Sequence, residues 1–406
     1  MEKSTGDSRR QWRFTLMKTL SLIAIAFLGS ALCAIAQEPA LTSVSVAYQV
    51  NQAHTGSIQV TGLTLPLSVK WSAKLNGNAS YPLVLPGEVI VIDGGSPSTL
   101  EALNAADGSL LWSQPVASGY GGWVGAAYDN GMVFAVNYDT PGFSSGSMSA
   151  FSASTGTLLW TASLPGQYLF TSPPTAKNGI VYTGGAGVGG TVYALEETNG
   201  DLLWTGSVEN GDTSSPAISG TSVYVSYACP QTYRFNAKTG ALLWHYSGAC
   251  EGGGGDTAVV YKGVLYVRDV FFQSTSGLTF STTTNAQIGG FNSQYAPAFS
   301  GTTVFYTESN TLTAVNITTG ATLWTANATG GESFTCSPIV VNGMVYMGTS
   351  SGTLLGYTVG KGTQKVSMNL GQPISCSEYF VVPQAGMGAG QGLLVVPAGT
   401  ELFALQ

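Results

Sequence analysis

The stretch Ala-Leu-Asn-Ala-Ala-Asp-Gly-Ser-Leu-Leu-Trp, from Ala102 to Trp112, decides the fold because the chain repeats its pattern. A small residue is followed six positions later by Gly and four positions after that by Trp. The same spacing recurs at Ala150/Gly156/Trp160, Ala194/Gly200/Trp204 and Ala314/Gly320/Trp324. A fifth copy, Gly240/Trp244, has Arg234 in place of the small residue. Self-similarity of this kind predicts a repeat architecture.

The distances between the tryptophans give the period. From Trp71, which retains only the Trp end of the pattern, successive steps along the chain are 41, 48, 44, 40 and 80 residues. The last step spans two periods, so a degenerate copy is expected near Gly289, and another weak copy lies at 362–366. The 336 residues from Trp71 to Gln406, divided by eight, give 42 residues per repeat. One four-stranded propeller blade has about this length.

Within each period, short β-rich runs alternate with Gly, Asn, Ser or Pro, which predicts four strands, named A to D from the centre of the ring outwards. The turn between strands C and D carries Asp-Gly, Thr-Gly or Asn-Gly, dipeptides that supply the positive φ of tight hairpins. The Trp on strand D is predicted to fill the wedge between neighbouring twisted blades. The predicted docking residues are Trp71, Trp112, Trp160, Trp204, Trp244 and Trp324.

The two ends of this region are predicted to form one blade together. Glu401 to Gln406 has the pattern of a strand C that lacks the following Gly and Trp, and the missing strand D is found at Leu67 to Ser72. Pairing of these segments would close the ring non-covalently and leave no open sheet edge. The fold prediction is therefore an all-β, eight-bladed propeller of four-stranded antiparallel blades over residues 67–406, as one domain.

The repeated pattern resembles the tryptophan-docking repeat of the pyrroloquinoline-quinone-type propellers. That superfamily includes the quinoprotein dehydrogenases and the propeller lipoprotein of the outer-membrane barrel-assembly machinery. The resemblance covers essentially all of residues 67–406 and is specific for fold, but the same scaffold hosts enzymes and pure binding proteins. The segment Tyr48 to Gly56, which contains His54, also resembles a lead-in of exported family members, where it is expected to pack the N-terminal arm.

The first 36 residues predict export. Basic residues between Arg9 and Lys18 precede an apolar run at 20–28 and Ala-Ile-Ala at 34–36, which is the pattern of a signal peptide cleaved before Gln37. A lead-in arm at 37–66 then precedes the propeller. Met17 is an alternative start. Cys33 follows Leu32 rather than a small residue, so a lipoprotein signal is not expected.

Composition sets the broad class. Only 9% of residues are charged while 44% are hydrophobic, which favours a large core over disorder. After cleavage, 19 acidic and 9 basic residues remain, a net charge of −10, and this argues against binding nucleic acid or anionic lipid. We expect a monomer in the periplasm or outside the cell, with no transmembrane span once the signal is removed.

Four cysteines remain after cleavage, and an even number in an exported chain predicts two disulfides. Cys229 falls on a B–C connection and Cys250 on the D–A connection into the next blade, and these two loop types emerge on the same face. Cys336 and Cys376 occupy equivalent places just before strand A of consecutive blades. The predicted pairs are Cys229–Cys250 and Cys336–Cys376. Free buried thiols and a four-cysteine metal site are the alternatives.

The sequence lacks the features that the resemblance implies for a quinone enzyme. Quinoprotein alcohol dehydrogenases carry two adjacent cysteines and a Ca²⁺ held by acidic and amide side chains. The chain has no Cys-Cys pair, no matching ligand set and no Cys-Xxx-Xxx-Cys-His haem motif. Its two histidines, His54 and His245, are expected to be packed or surface residues. We therefore predict no catalytic residue and no cofactor, with the quinone disfavoured.

The loop face, formed by the D–A and B–C connections, is the candidate binding surface. The predicted strands place nine acids on it: Asp93, Asp139, Asp212, Glu251, Asp256, Asp269, Glu308, Glu332 and Glu378. Candidate Ca²⁺ ligands among them are Asp256, Asp269 and Glu378, although a solvated face is the simpler interpretation. Six aromatic residues map to the same side: Tyr120, Trp123, Tyr168, Phe170, Tyr227 and Tyr379. Aromatic rings beside acids suit a protein or glycan partner, although blade packing explains most of them equally well.

Three functions are consistent with the sequence. The leading hypothesis is an exported, non-catalytic propeller that binds a protein or glycan on its loop face. The alternatives are an outer-membrane barrel-assembly-type scaffold and a quinone-dependent dehydrogenase. A closed central channel would favour partner binding, whereas a chelated cation below a flat, Trp-floored slot would favour a cofactor.

Overall fold

The computed structural model describes residues 43–115, 122–138, 146–211, 213–248, 255–268, 275–328, 330–376 and 383–406. They form eight antiparallel sheets of four blade strands each, arranged as a β-propeller. All belong to one compact unit, Leu41–Gln406. The predicted fold class is confirmed.

Strands A to D of the first four blades follow one another directly in the chain. Blade 1 contains Leu83–Leu85, Glu88–Asp93, Thr99–Asn104 and Leu110–Pro115. Blade 2 contains Gly122–Asp129, Met132–Tyr138, Gly146–Ser152 and Leu158–Leu164. Blade 3 contains Thr175–Lys177, Ile180–Ala186, Gly190–Glu196 and Leu202–Val208. Blade 4 contains Ala217–Ser219, Ser222–Tyr227, Gln231–Asn236 and Leu242–Tyr246.

The remaining blades bring in two segments from the start of the described chain. Blade 5 contains Val259–Tyr261, Val264–Arg268, Ser276–Ser281 and Gln287–Asn292. Blade 6 contains Ala298–Ser300, Thr303–Glu308, Thr311–Asn316 and Thr322–Asn327. Blade 7 contains Ile339–Val341, Met344–Gly348, Thr353–Thr358 and Gln364–Asn369, with Ser57–Ile58 added parallel to its strand A. Blade 8 contains Gly388–Gly390, Leu393–Ala398, Glu401–Leu405 and, as strand D, Val69–Lys74.

Ring closure occurs as predicted. Val69–Lys74 pairs with Glu401–Leu405, and Trp71 lies opposite Ala404. The strand begins two residues later than the predicted Leu67. Because the first strand of the propeller completes its last blade, strand C of blade 8 does not end as an unpaired edge.

A one-residue shift in register beside the docking position is common to all eight C–D strand pairs. Such a bulge re-aims a side chain and increases the local twist. The small residue of the pattern lies opposite the Trp across the pair, as at Ala102 and Trp112. The predicted degenerate copy near Gly289 is present, since Gly289 lies opposite Thr279 in the docking position of blade 5.

Five tryptophans dock on the next blade in one common geometry. The indole N–H donates to the backbone carbonyl three residues before the Gly of the next C–D turn, which we call the docking acceptor. The bonds are Trp71–Ala105, Trp112–Ala153, Trp160–Glu197, Trp204–Ala237 and Trp324–Val359, at 2.7–3.1 Å. The indole ring lies on the turn Gly, where a Cβ would come within 2.6–2.7 Å of it. Only Gly leaves this space and readily takes the positive φ of the turn.

The interface between blades 4 and 5 uses a different donor. Arg234, which replaces the small residue, donates from Nη1 to the docking acceptor Thr282 at 2.8 Å and to Asn285 at 3.0 Å. Asn285 occupies the place of the turn Gly with φ +61°. Trp244 instead packs edge-on against Phe280, with ring centroids 5.0 Å apart. The guanidinium thus takes over the inter-blade hydrogen bond that an indole makes elsewhere.

Candidate functional site: the filled channel and the loop face

The segment before the propeller fills the central channel. Strand A is the innermost strand of each blade, and its free edge faces the channel. Residues 44–50, which include the 3₁₀ turn Tyr48–Val50, are all buried. This segment and its continuation to Ile58, together the arm, bond to the inner wall of the ring.

Every blade contributes to these contacts. Backbone N–H groups of the inner strands donate to carbonyls of the arm in the pairs Tyr128–Val46, Ile218–Gln52, Val260–Ala53, Phe299–Thr55 and Val340–Gly56, at 2.6–3.1 Å. These pairs involve blades 2, 4, 5, 6 and 7. Ser45 exchanges backbone bonds with Val84 of blade 1 and donates from Oγ to Ala389 of blade 8. Blade 3 is reached by the side chain of His54. The arm therefore covers inner-strand N–H groups that an open channel would leave to water.

His54 ties the arm to three neighbouring blades. It is fully buried. Its Nδ1 lies 3.1 Å from the Ala258 carbonyl, while its Nε2 lies 3.3 Å from Thr175 Oγ1 and 3.4 Å from Ser215 Oγ. Both ring nitrogens are thereby engaged. The expected packing role of His54 in the arm agrees with this geometry.

A buried ion pair lies at the start of blade 5. Asp256, on the D–A connection, contacts Arg268, at the end of strand B, with Oδ1 and Nη2 3.1 Å apart and both side chains at most 2% exposed. Arg268 also donates from Nη1 to the Gln294 carbonyl at 2.8 Å. Asp256, a predicted Ca²⁺ ligand, is therefore already paired with a cation. The other two candidates, Asp269 and Glu378, lie outside the described residues, so the metal site stays a prediction.

The remaining acids of the loop face differ in exposure. Asp93 is 1% exposed, and its carboxylate accepts four hydrogen bonds of 2.7–2.9 Å from Asn76, Gly77 and Gly95. Glu308 is exposed, and Glu332 is partly exposed. A hydrogen bond from Ser351 lowers the pKa of Glu332. Three further acids lie outside the described residues: Asp139, Asp212 and Glu251. Within the described part of the chain, no three His, Cys, Asp or Glu side chains are grouped as metal ligands would be.

Three of the aromatic residues placed on the loop face belong to the core instead. Trp123, Phe170 and Tyr227 are at most 3% exposed. Tyr168 is half-buried and donates from its hydroxyl to the Gly187 carbonyl at 3.0 Å. Tyr120 and Tyr379 lie outside the described residues. Of the two interpretations of these aromatic residues, blade packing rather than an exposed binding face describes the three buried rings.

The cysteines follow the predicted strand positions. Cys336 and Cys376 form a disulfide with Cα atoms 4.7 Å apart, which confirms this pair. Cys229 lies on the B–C connection of blade 4 and is itself disulfide-bonded. Gly248, on the D–A connection, packs directly on the Cys229 backbone. Cys250 lies two residues further and outside the described residues, so its bond to Cys229 stays a prediction.

Comparison with known proteins identifies the family to which the chain belongs. A sequence profile described as outer membrane protein assembly factor BamB matches residues 7–163, 144–277 and 270–405. These three segments together cover nearly the whole chain. The chain belongs to this BamB family.

Individual relatives are distant. Tetrathionate hydrolase from Acidithiobacillus ferrooxidans is 24% identical over 281 residues, which are 61% of this chain and 53% of that protein. The chain thus spans about half the length of this relative. BamB from Moraxella catarrhalis superposes with a TM-score of 0.64 at 18% identity, over 84% of this chain and 99% of that one. A quinohemoprotein alcohol dehydrogenase from Pseudomonas putida superposes with a TM-score of 0.69 at 13% identity, over 90% and 80%. At these identities the likeness establishes the fold.

The tryptophans of this BamB family member take part in blade packing. Seven of its eight tryptophans lie in the described part of the chain. Six are the predicted docking residues, and the seventh, Trp123, packs edge-on against Phe151 with centroids 5.8 Å apart. The arm occupies the space inside the ring. No helix of the described residues is long and apolar enough to span a membrane.

Proposed function

We propose that this BamB family member is an exported, non-catalytic propeller that binds a protein partner on its loop face. The observation that carries this proposal is the filled channel. The arm from Val44 to Ile58 bonds to the inner strands of the ring, so the space that a cofactor or small substrate would enter is taken by the chain itself. Export is supported by the disulfide between Cys336 and Cys376, a bond that persists in oxidising compartments.

The surface left for a partner is the rim of connections around the channel. Glu332 and Asn310 are accessible there, on a D–A and a B–C connection respectively. With a net charge of −10 after cleavage of residues 1–36, the partner is expected to present basic groups, because complementary charge accelerates association and fixes orientation. Connections around a rigid ring also suit recognition, since loops vary while the scaffold holds them in place.

Site-specific photo-crosslinking tests the proposal. A photoreactive residue at position 310 or 332 should give a discrete protein adduct in the exporting organism. The same residue at Lys262, in an A–B turn on the opposite face, should give none and serves as the matched control. Adducts from position 262 alone would contradict the assignment of the binding face.

An enzymatic assay tests the non-catalytic part. The purified protein, titrated with pyrroloquinoline quinone and Ca²⁺, should show no change in quinone absorbance and no dye-linked oxidation of alcohols or sugars. Micromolar binding with turnover would refute the proposal. Co-purification of barrel-assembly components with the crosslinked protein would identify the partner and make the family's scaffold role that of this chain.

A further inference from the structure

The interface between blades 5 and 6 is one at which the docking pattern is incomplete. At four interfaces around it the docking acceptor receives an indole N–H or, at Thr282, the Arg234 guanidinium. At the blade 5–6 interface the acceptor is the Ile317 carbonyl, three residues before Gly320. The residue that would carry the indole is Gly289, which has no side chain to offer. Among the described residues, no donor bonds to the Ile317 carbonyl.

The missing indole leaves a cavity. Its volume is about 490 Å³, and Ile317 and Gly320 lie in its wall. Gly320 has the φ of +70° that is typical of the docking turn, yet no atom lies within 4 Å of the position where its Cβ would be. At Gly362, in the next turn, the Trp324 ring lies within 2.6 Å of that position. The surface of the Gly turn that an indole ring covers at the other docking sites is therefore present here without a ring on it.

An aromatic wall closes one end of the cavity. Phe291, two residues after Gly289, stacks on Tyr306 with centroids 5.0 Å apart and planes at 17°. Tyr266 meets Phe291 edge-on at 5.7 Å. The corresponding residue two positions after the Trp is Gly206 in blade 3 and Ala326 in blade 6. Phe291 therefore fills part of the gap and leaves the end over Gly320 open.

Polar groups of the cavity wall are available to a ligand. The hydroxyls of Tyr266 and Tyr306 have no hydrogen-bond partner among the described residues, and Thr279 and Glu308 also line the cavity. Burial raises the pKa of both tyrosines, that of Tyr266 to about 12, so both hydroxyls are neutral donors at ordinary pH. A cavity of a few hundred Å³ with apolar walls and a few polar groups is typical of small-molecule sites.

We propose that this cavity between blades 5 and 6 binds a planar aromatic ring with an N–H donor, indole being the simplest. The ring lies flat on the Gly320 turn, its N–H donates to the Ile317 carbonyl, and its edge meets Phe291. The same chain shows this arrangement five times with its own tryptophans, so the geometry of recognition is already known in detail. The site lies between blades, away from the channel and independent of the proposed function.

Calorimetric titration of the purified full chain with indole tests the site. A ligand of nine heavy atoms is expected to bind with a Kd on the order of 0.1–1 mM. 1-Methylindole, which lacks the donor, should bind at least about tenfold more weakly, because the Ile317 carbonyl would be buried without a partner. Equal affinity for the two would overturn the assigned orientation. N-acetyl-tryptophanamide distinguishes the source: binding as tight as that of indole indicates a ring carried on a peptide, and weaker binding indicates a free small molecule.

A variant that restores the missing side chain provides the matched comparison. Gly289→Trp should fill the cavity, raise Tm and abolish indole binding, whereas Gly289→Ala should leave the cavity open and retain binding. Crystals of the unmodified chain soaked with 5-bromoindole give a readout that needs no variant to fold. Bromine density over Gly320 supports the proposal, and density only at other places, or indole binding that persists in Gly289→Trp, overturns it.

Discussion

The indole Nε1 of Trp160 donates a hydrogen bond of 2.7 Å to the backbone carbonyl of Glu197 in the next blade. The Glu197 side chain is fully buried beside this contact, where it accepts a hydrogen bond from Asn130 Nδ2 at 3.0 Å. Burial raises the pKa of Glu197 to about 7, and the nearby charge of Asp129 acts in the same direction. A titrating acid therefore lies within an inter-blade docking site.

The first prediction is that Glu197 makes the propeller less stable as pH rises. The folded state binds this proton more tightly than the unfolded chain, so its contribution to the free energy of unfolding is complete below about pH 4.5 and is lost by about pH 7. Glu197→Gln should remove this loss and be more stable than the parent at pH 8, by about 2–3 kcal/mol. Chemical denaturation from pH 4.5 to 8 measures it.

Glu196→Gln, at the half-buried neighbouring position, is the matched control for replacing a carboxylate with an amide in this strand. Glu88 will contribute a similar slope in both proteins, because burial raises its pKa to about 7 as well. If the free energies of unfolding of the parent and of Glu197→Gln changed with pH in parallel, the Glu197 carboxyl would not be the group that causes the loss of stability.

The second prediction separates ring docking from backbone strain. Gly156 and Gly320 occupy the same turn position with φ of +67° and +70°, but only Gly156 carries an indole, that of Trp112. Ala at Gly320 should cost about 1 kcal/mol for the left-handed backbone alone. Ala at Gly156 should cost about 3 kcal/mol, because the ring is also displaced. Urea denaturation measures the free energy of unfolding of both variants. Equal losses for Gly156→Ala and Gly320→Ala would exclude ring docking as the reason for Gly at this turn position.

The third prediction concerns the guanidinium at the blade 4–5 interface. Arg234→Ala should destabilise the protein by about 1–2 kcal/mol, because the Thr282 carbonyl loses its donor. The double variant Arg234→Ala with Asn285→Gly should recover most of this loss, since it recreates the small residue and turn Gly on which Trp244 could dock. A double-mutant cycle that includes Asn285→Gly alone measures the coupling. If the losses in the free energy of unfolding of the two single variants simply added in the double variant, Arg234 and Asn285 would not act together as a replacement for the docking pattern.

The fourth prediction tests the arm and the closing strand separately. A chain beginning at residue 67 lacks the arm but keeps Val69–Lys74, and it should melt at a lower temperature than a chain beginning at residue 43. A chain beginning at residue 75 also loses strand D of blade 8 and should aggregate through the exposed edge. Differential scanning calorimetry and light scattering distinguish the three. An unchanged melting temperature at residue 75 would refute closure by the N-terminal strand.

The fifth prediction concerns the disulfides. Replacing Cys336 and Cys376 with Ala should cost about 4 kcal/mol, the chain-entropy value for a loop of about 40 residues. Non-reducing peptide mapping should also find Cys229 joined to Cys250. A peptide that joins Cys229 to Cys336 would show that the connection containing residues 249–254 does not run where the strand order predicts.

Sequence was sufficient for the fold because a few residues are irreplaceable in it. Gly156 has a positive φ and contacts an indole ring, and Ala102 must be small because Trp112 lies opposite. Residue types at such positions are restricted, so they recur at regular intervals in the sequence. Arg234 breaks the pattern, and its acceptor Thr282 lies 48 residues away. The repeat pattern near Arg234 therefore does not indicate that its guanidinium replaces the indole as the inter-blade donor.

The candidate site was less predictable for physical reasons. The arm makes about one contact with each blade, so its residues follow no period, and His54 could be related to the arm only through a family resemblance. The sequence leaves open whether an aromatic residue near a connection is exposed or packed, because proximity to a connection does not fix which way a ring faces, as the buried Phe170 shows. Asp93 looked like a surface acid, yet its partners are backbone N–H groups of Gly77 and Gly95, which no residue type signals.

Closure of the ring by Val69 and Leu405, 336 positions apart, bears on the order of events during synthesis. Val69–Lys74, which completes blade 8, is synthesised before strands A to C of that blade and has no partner until Glu401–Leu405 follows. The entropy of closing so long a loop grows only with the logarithm of its length, but the search for the partner is slow, as for other non-local pairings. A nascent ring therefore passes through a stage with two open edges. Factors that shield open sheet edges would act in that interval, and loss of the pairing between Val69–Lys74 and Glu401–Leu405 in the folded protein reopens the same blade.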